Sequence, residues 1–322
     1  MNKTVKLSVI IIVVALLYMT VVLTACQGST ATQTGTISDI TKGYFAGVEG
    51  ASSVTINLDD YVNANGTSVT YSAQSDNVDI ATVSVDGATL TVSLQGAEGN
   101  TFITVFVYSN GKKSFSLSFG LTAKVYERVA CIGDSLTYGH SWHNQSYPVY
   151  LQEILGDAVE VKNFGVNGSA VTNRNETNYR LKYDTLKEYA DSLTFQPDIV
   201  VVMLGSNDGY NWTGSAPTFE QEYTKLLNSY LESGVEQIVM LTSPPTLKNN
   251  AFNIPDEVLS GQICPRQRAI AIQFGLPLVD VRAAFEALDS FDSLYRTGDG
   301  VHFSVEGAQF VAQLVADKLI KL

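Results

Sequence analysis

The spacing of apolar residues changes near residue 125, and this change limits what the chain can fold into. Before that point apolar and polar residues alternate, as at Val54 and Ile56, and turn dipeptides such as Asp86-Gly87 separate the runs. Alternation with a period of two between turn signals is typical of short antiparallel strands. After residue 125, near-continuous apolar runs alternate with amphipathic stretches, which predicts a parallel sheet covered by helices on both faces.

These two patterns predict two domains, and 322 residues are enough to give each a hydrophobic core. Residues 37–125 resemble bacterial Ig-like domains, so we expect an all-β sandwich there that acts as a spacer. Residues 126–322 are expected to form the α/β domain. Its predicted strands cover residues 128–133, 159–164, 198–204, 237–242 and 276–281. Its clearest amphipathic stretches cover residues 218–233 and 305–319, the second with Ser304 as a candidate N-cap.

Composition excludes several classes of protein. Apolar residues make up 45% of the chain and charged residues 16%, which excludes a disordered chain. Acidic residues outnumber basic ones by 32 to 20, so the chain lacks the basic surplus that a nucleic-acid-binding protein needs. One stretch alone is apolar over a long distance, which excludes a protein that crosses a membrane many times.

That apolar stretch, at residues 7–22, follows Lys3 and Lys6 and predicts a secretory signal over residues 1–25. Leu-Thr-Ala-Cys at residues 23–26 resembles the bacterial lipobox, which implies lipidation of Cys26. The alternative is an uncleaved membrane anchor with an incidental cysteine. We expect a lipoprotein outside the cytoplasmic membrane, with residues 26–36 as a tether between its membrane anchor and the first domain.

The remaining cysteines and the paired histidines do not predict a metal site. Cys131 and Cys264 could form a disulfide in this compartment, although their spacing does not favour one. The chain has no Cys-x-x-Cys pair, which argues against structural zinc. His140 and His143 lie three residues apart without a clear third ligand, so we expect a substrate contact or a structural role for them. We therefore expect no metal and no cofactor.

Four polar motifs follow strands or precede the last helix of the predicted α/β domain. They are Gly-Asp-Ser at 133–135, Asn-Phe-Gly-Val-Asn-Gly at 163–168, Gly-Ser-Asn-Asp at 205–208 and Asp-Gly-Val-His at 299–302. Functional groups of parallel α/β sheets gather at the carboxyl ends of the strands. We therefore expect these motifs to meet in one site.

In this order the four motifs resemble those of SGNH (GDSL-type) hydrolases, over the whole α/β domain. The resemblance implies a flavodoxin-like, three-layer α/β/α fold with a five-stranded parallel sheet. It implies that Ser135 is the nucleophile, that His302 is the base and that Asp299 orients His302. It also implies an oxyanion hole formed by Ser135, Gly168 and Asn207.

Each motif taken alone has an ordinary structural explanation. Ser135 could cap a helix, Gly168 and Asn207 could belong to turns, and His302 could be a surface histidine. Joint occurrence at predicted strand ends favours the catalytic interpretation. We interpret the neighbouring Asp134 and Asp208 as structural. A Gly-x-Ser-x-Gly elbow is missing from these motifs, which argues against the α/β-hydrolase fold.

Aromatic residues near the motifs suggest a carbohydrate substrate, because exposed rings can stack on sugar faces, although half-buried packing is the ordinary alternative. The candidate substrate-binding residues are Tyr138, Trp142, Tyr210 and Trp212. The stretches 133–139, 146–148 and 163–165 are similar to carbohydrate O-acetylesterases of the same family. The sequence has no long apolar lid of the kind that would suggest a tunnel for a fatty acyl chain.

The sequence therefore predicts a surface-tethered serine carboxylic-ester hydrolase, an O-deacetylase of carbohydrates that works through an acyl-serine intermediate. Its expected partners are a small-molecule or glycan ester and, through the lipid anchor, the membrane, but no nucleic acid. A lysophospholipase or thioesterase on the same scaffold is one alternative. A catalytically inert binding protein is the other.

Overall fold

A computed structural model describes residues 30–48, 50, 52–141, 143–172, 181–210, 212 and 216–322. The predicted signal segment and Cys26 lie outside the described residues. Across the described ranges, no helix combines the length and the apolar character that crossing a membrane requires.

The N-terminal part of the described chain consists of strands. They are β1 (Thr32–Gln33), β2 (Ile40–Tyr44), β3 (Ser53–Asn57), β4 (Val62–Asn63), β5 (Val69–Ser75), β6 (Ala81–Asp86), β7 (Thr89–Leu94), β8 (Gly99–Ser109) and β9 (Lys112–Val125). One sheet has the order β2-β9-β8-β5, a second has the order β3-β7-β6, and β1 pairs with β4. Buried residues of both larger sheets, such as Val92 and Val105, belong to one hydrophobic cluster, so these sheets share a core.

Strands and helices alternate in the second part of the chain. The strands are β10 (Arg128–Gly133), β11 (Glu160–Gly165), β12 (Ser169–Ala170), β13 (Leu181–Lys182), β14 (Ile199–Met203), β15 (Gln237–Leu241) and β16 (Leu278–Val279). The helices are α1 (Ser135–Tyr138), α2 (Tyr147–Leu155), α3 (Lys187–Thr194), α4 (Ser206–Gly209), α5 (Ala216–Glu232), α6 (Asp256–Val258), α7 (Cys264–Phe274), α8 (Val281–Glu286) and α9 (Val305–Leu319). A π-helical turn, Leu259–Ile263, joins α6 to α7.

Five of these strands form a parallel sheet in the order β11-β10-β14-β15-β16, which confirms the predicted five-stranded parallel sheet. This is the flavodoxin-like order, in which the chain reverses direction across the sheet between the first and third strands. Val129 and Val201 face a cluster that includes residues of α2 and α9. Ala130 and Val202 face the opposite cluster, which includes residues of α5 and α7. The sheet is therefore the middle of three layers.

Local capping decides where two C-terminal elements begin and end. Helix α9 spans the predicted residues, and the Ser304 side chain accepts a hydrogen bond from the Gly307 N–H at 3.1 Å, as an N-cap does. Strand β16 is shorter than the predicted 276–281. Asp280 ends it because its side chain accepts from the Ala283 N–H and caps α8.

The two parts of the chain pack against each other. Phe45, which follows β2, is completely buried in the cluster that also contains residues of α2 and α9. Its ring lies 5.7 Å from that of Tyr126, centroid to centroid. Lys124 and Glu236 form an ion pair at 2.8 Å beside this contact. The N-terminal sheets are therefore in direct contact with the α/β part.

Both cysteines within the described residues are buried and free, so they do not form the disulfide that the sequence left open. Cys131 lies on β10 and Cys264 begins α7. Burial raises the pKa of the Cys131 thiol to about 12, so this side chain is a neutral part of the core.

Candidate active site

Ser135 is placed at the end of the central strand β10 by a tight strand-to-helix connection. Asp134 is the N-cap of α1, and its side chain accepts a hydrogen bond from the Leu136 N–H at 2.9 Å. Gly133 is necessary before this turn, because a Cβ there would collide with Thr137 and with the backbone of Met203. As a result Ser135 lies at the reversal point of the sheet, where α/β proteins bind ligands.

Ser135, His302 and Asp299 form a continuous chain of hydrogen bonds. The Oγ of Ser135 lies 2.9 Å from Nε2 of His302, although the two residues are 167 positions apart. Nδ1 of His302 lies 2.9 Å from Oδ2 of Asp299. Because a carboxylate only accepts, Nδ1 carries the proton and Nε2 can accept the serine proton. This arrangement allows a serine hydroxyl to act as a nucleophile.

The electrostatic environment of Asp299 favours its ionised form. Burial alone would raise the pKa of this carboxyl, but hydrogen bonds from the His302 side chain and from the backbone N–H groups of His302 and Val301 hold the pKa below its usual value. Asp299 is therefore a carboxylate at neutral pH. It can orient His302 and balance a positive charge on the imidazole.

Gly168 and Asn207 line the same cavity as Ser135 and can supply hydrogen-bond donors. Gly168 has a φ of +77°, in the left-handed region that glycine adopts without strain. The side-chain amide of Asn207 donates one hydrogen bond to the carbonyl of Ser169 at 2.9 Å. Its second N–H bonds to no acceptor among the described residues, so Asn207 can stabilise a developing oxyanion together with the backbone N–H groups of Gly168 and Ser135.

Asp208 ties together the two segments that carry these donors. It is completely buried, and its carboxylate accepts from the N–H groups of Val171 and Thr172 at 3.0 and 2.9 Å and from the Thr172 hydroxyl at 2.6 Å. The loop that follows Gly168 is thereby fixed to the helix that carries Asn207. The structural interpretation of Asp208 and of the helix cap Asp134 is confirmed.

The cavity in front of Ser135 is small, at about 180 Å³. Its lining consists of Ser135, His140, Asn167, Gly168, Asn207, Phe252, Ile254, Val301 and His302. Drug-sized ligands usually occupy pockets of about 300–1,000 Å³, so this cavity fits a short acyl group better than a long one.

Two rings that were not part of the predicted catalytic set hold His302 in place. The His140 ring stacks on it with a centroid separation of 4.3 Å and an interplanar angle of 22°. The Phe252 ring meets it edge to face at 4.5 Å and 87°. The sequence singled out His140 without a definite role and missed Phe252. Together these rings restrict the orientations that the imidazole can adopt.

The loop between β15 and α6 carries Phe252 to the site. Backbone hydrogen bonds join Leu247 N–H to the Gly300 carbonyl at 2.9 Å and Ala251 N–H to the Asp299 carbonyl at 2.8 Å. Asn250 braces the loop internally through four hydrogen bonds of its side chain. The asparagine-rich stretch at 249–253 was a sequence signal for an ordered turn, but it did not indicate which element the turn would contact.

The predicted substrate-binding aromatic residues do not line the 180 Å³ cavity where they are described. Tyr210 and Trp212 pack against the cluster on the α5 side of the sheet, with the Trp212 ring 6.0 Å from that of Phe219. Tyr138 ends the short helix that begins at Ser135. Trp142 lies outside the described residues. A role for these residues in contacting substrate beyond the cavity stays a prediction.

Among the described residues, no group of three or more histidine, cysteine, aspartate or glutamate side chains is placed to hold a metal ion. His140 belongs instead to the aromatic contact with His302.

Replacing Asn207 with alanine tests the donor side of the site. We expect kcat for ester hydrolysis to fall about 10²–10³-fold, since the variant removes one preorganised donor to the oxyanion. KM should change much less, because the interaction strengthens in the transition state. Steady-state kinetics on an aryl acetate measure both constants. A rise confined to KM contradicts the assignment.

Comparison with known proteins finds a matching family for the α/β part of the chain. Residues 131–310 match the GDSL-like Lipase/Acylhydrolase family. An acetylxylan esterase from Xylanibacter ruminicola is 31% identical to the chain over 212 residues, which are 59% of this chain and 42% of that protein. The chain thus spans about two fifths of the length of this curated relative.

Two solved structures share the fold. The lipase/acylhydrolase from Enterococcus faecalis aligns with a TM-score of 0.51 at 20% identity, over 61% of this chain and 96% of that chain. The inhibitor-bound aryl esterase of M. smegmatis aligns with a TM-score of 0.51 at 20% identity, over 61% of this chain and 99% of its own. The family match covers more than half of the sequence, and the chain therefore belongs to the GDSL-like lipase/acylhydrolase family.

Proposed function

We propose that this protein is a serine carboxylic-ester hydrolase that removes acetyl groups from carbohydrates. The observation that carries the proposal is the hydrogen-bonded chain from Ser135 through His302 to Asp299, which borders a small cavity that the donor residues Gly168 and Asn207 also line.

The reaction proceeds in two halves. His302 takes the proton of Ser135 as Oγ attacks the carbonyl carbon, and the negative charge moves to the carbonyl oxygen, where Gly168 and Asn207 donate hydrogen bonds. His302 then gives its proton to the leaving oxygen of the alcohol, which departs and leaves an acyl-serine. Water attacks this ester in the same way, with His302 again as the base, and the acid is released as Ser135 regains its proton.

The size and lining of the cavity favour an acetyl group. A volume of about 180 Å³ accommodates a few heavy atoms, and the side chains of Ile254 and Val301 provide an apolar wall that suits a methyl group. A fatty acyl chain needs a longer apolar groove. These features support the deacetylase over the lysophospholipase or thioesterase alternative.

A carbohydrate as the alcohol is supported by the relative from Xylanibacter ruminicola, which is an acetylxylan esterase. The intact hydrogen-bonded chain weighs against the inert binding protein, because such a protein has no need for a base 2.9 Å from a serine hydroxyl.

Acetate release tests the proposal directly. The purified protein is incubated with acetylated xylan, other acetylated glycans and nitrophenyl esters of two to sixteen carbons, with Ser135→Ala as the control. We expect acetate from at least one glycan and a steep fall in kcat/KM for esters longer than about four carbons, because the cavity is too small for them. A preference for long chains overturns the deacetylase proposal.

We propose further that residues 37–125 form an Ig-like spacer and that Cys26 carries a lipid anchor on the outer side of the cytoplasmic membrane. Support for the spacer comes from two sheets around one hydrophobic cluster. Support for the anchor comes from the lysines, the apolar run and the cysteine near the N-terminus.

Replacing Cys26 with alanine tests the anchor. We expect the protein to move from the membrane fraction to a soluble fraction, since stable anchoring requires the acyl chains. Specific activity should stay at the wild-type value, because Cys26 precedes both proposed domains. An unchanged membrane fraction would favour an uncleaved apolar anchor instead.

A further inference from the structure

We propose that His140 and Asn167 form a subsite that binds a free hydroxyl group of the carbohydrate, on the alcohol side of the ester that is cleaved. This inference rests on the proposed function and deepens it, because it names the part of the substrate that the site recognises.

The position of His140 follows from the roles of its neighbours. His302 must protonate the leaving oxygen, so the alcohol lies within hydrogen-bond reach of Nε2 of His302. The acyl oxygen instead faces Gly168 and Asn207. His140 stacks on His302 at 4.3 Å and lines the same cavity, so it lies beside the alcohol half of the substrate.

The hydrogen-bonding pattern of the pair suits a hydroxyl group. Nδ1 of His140 lies 3.3 Å from Oδ1 of Asn167, and an amide oxygen only accepts, so Nδ1 carries the proton. Nε2 then presents a lone pair, and the Asn167 amide presents two N–H groups. Within the described part of the chain, neither Nε2 of His140 nor Nδ2 of Asn167 has a hydrogen-bond partner. A hydroxyl both donates and accepts, and can therefore bond to each.

The surroundings of His140 keep its ring neutral. Burial lowers the pKa of His140, and the nearby His302 and Arg296 lower it further, while the hydrogen bond to Asn167 and the charge of Asp299 act in the opposite direction. The net effect is a pKa below the usual value, so at neutral pH Nε2 keeps its lone pair. Nε2 of His140 can therefore accept a hydrogen bond at the neutral pH at which His302 acts as a base.

A purely structural role is the main alternative, since His140 also supports the ring of His302. A phenyl ring can take over that stacking but has no nitrogen, so His140→Phe separates the two roles. His140→Ala removes both and is the matched control. Asn167→Ala provides an independent test, because Asn167 is exposed and its loss removes the donors without removing a ring.

The experiment compares kcat/KM for a monoacetylated sugar with a free hydroxyl next to the ester, for its fully acetylated analogue and for an aryl acetate. We expect wild-type protein to prefer the monoacetylated sugar. In His140→Phe and Asn167→Ala, that preference over the fully acetylated analogue should fall about tenfold, the loss that accompanies one hydrogen bond. His140→Ala should in addition lower kcat on all three esters.

An unchanged preference in both His140→Phe and Asn167→Ala overturns the subsite, as does wild-type protein that prefers the fully acetylated sugar. In both cases hydrolysis of the aryl acetate still supports the proposed ester hydrolase. Absence of hydrolysis of all three esters by wild-type protein contradicts the proposed function itself, and the subsite with it.

Discussion

The variants Ser135→Ala and His302→Ala should each lower kcat about 10⁶-fold. The double variant should be slower than either single variant by only a few-fold. Oγ of Ser135 is the proposed nucleophile, and Nε2 of His302, 2.9 Å away, is the group that takes its proton. Once one of them is lost, the other has no partner with which to act. Their contributions therefore overlap almost completely.

Single-turnover and steady-state kinetics on an aryl acetate measure these losses, with melting temperatures to show that the variants fold. Ser260→Ala removes the hydroxyl of an exposed serine that does not line the cavity. It serves as a matched control and should keep wild-type rates. Losses that multiply in the double variant would mean that Ser135 and His302 act independently. Such a result contradicts the proposed mechanism.

Replacing Asp299 with asparagine should lower kcat about 10⁴-fold while leaving the protein folded. The carboxylate accepts from Nδ1 of His302 at 2.9 Å and so fixes the proton on that nitrogen. An asparagine amide can donate to Nδ1 instead, which moves the proton to Nε2 and removes the lone pair that Ser135 needs. KM should change little, because Asp299 does not line the cavity.

The same substitution has a pH signature in stability. The pKa of Asp299 is lower in the folded chain than its usual value, so its ionisation stabilises the fold at neutral pH. That contribution is present above the unfolded pKa of about 3.9 and is lost as the pH falls through the lower folded value. Melting temperatures of Asp299→Asn should therefore depend less on pH below about pH 4 than those of wild type. Identical pH profiles, or an active variant, would contradict this role.

The convergence of the polar motifs could be predicted from the sequence because the chain follows a simple geometric rule. Ser135 and Asn207 each follow a strand of one parallel sheet, and such strands end at the same edge. Helix α9 could be predicted because an apolar stripe of regular period begins directly after the capping Ser304. In both cases the sequence pattern that supports the prediction lies within a short stretch of the chain, and tertiary contacts do not change the element that it predicts.

The support around His302 could not be predicted, because it depends on contacts between distant loops. Phe252 lies fifty residues before His302 and has no periodic pattern around it, and backbone hydrogen bonds from Leu247 and Ala251 to the segment before His302 help to bring it to the site. His140 was visible as a histidine near Ser135, and a substrate contact or a structural role was expected for it, but nothing in the sequence indicated that its ring stacks on His302. The C-terminal end of β16 likewise depends on one carboxylate, that of Asp280, which caps the next helix.

Mass spectrometry after reaction with a fluorophosphonate shows whether Ser135 is the nucleophile. In this reaction Oγ of an activated serine bonds to phosphorus as fluoride leaves, and the phosphonyl ester stays on the protein. We expect one adduct on wild-type protein, on the peptide that contains Ser135, and none on Ser135→Ala. Wild-type protein that hydrolyses acetate esters while Ser135 remains unlabelled would contradict the assignment of Ser135 as the nucleophile.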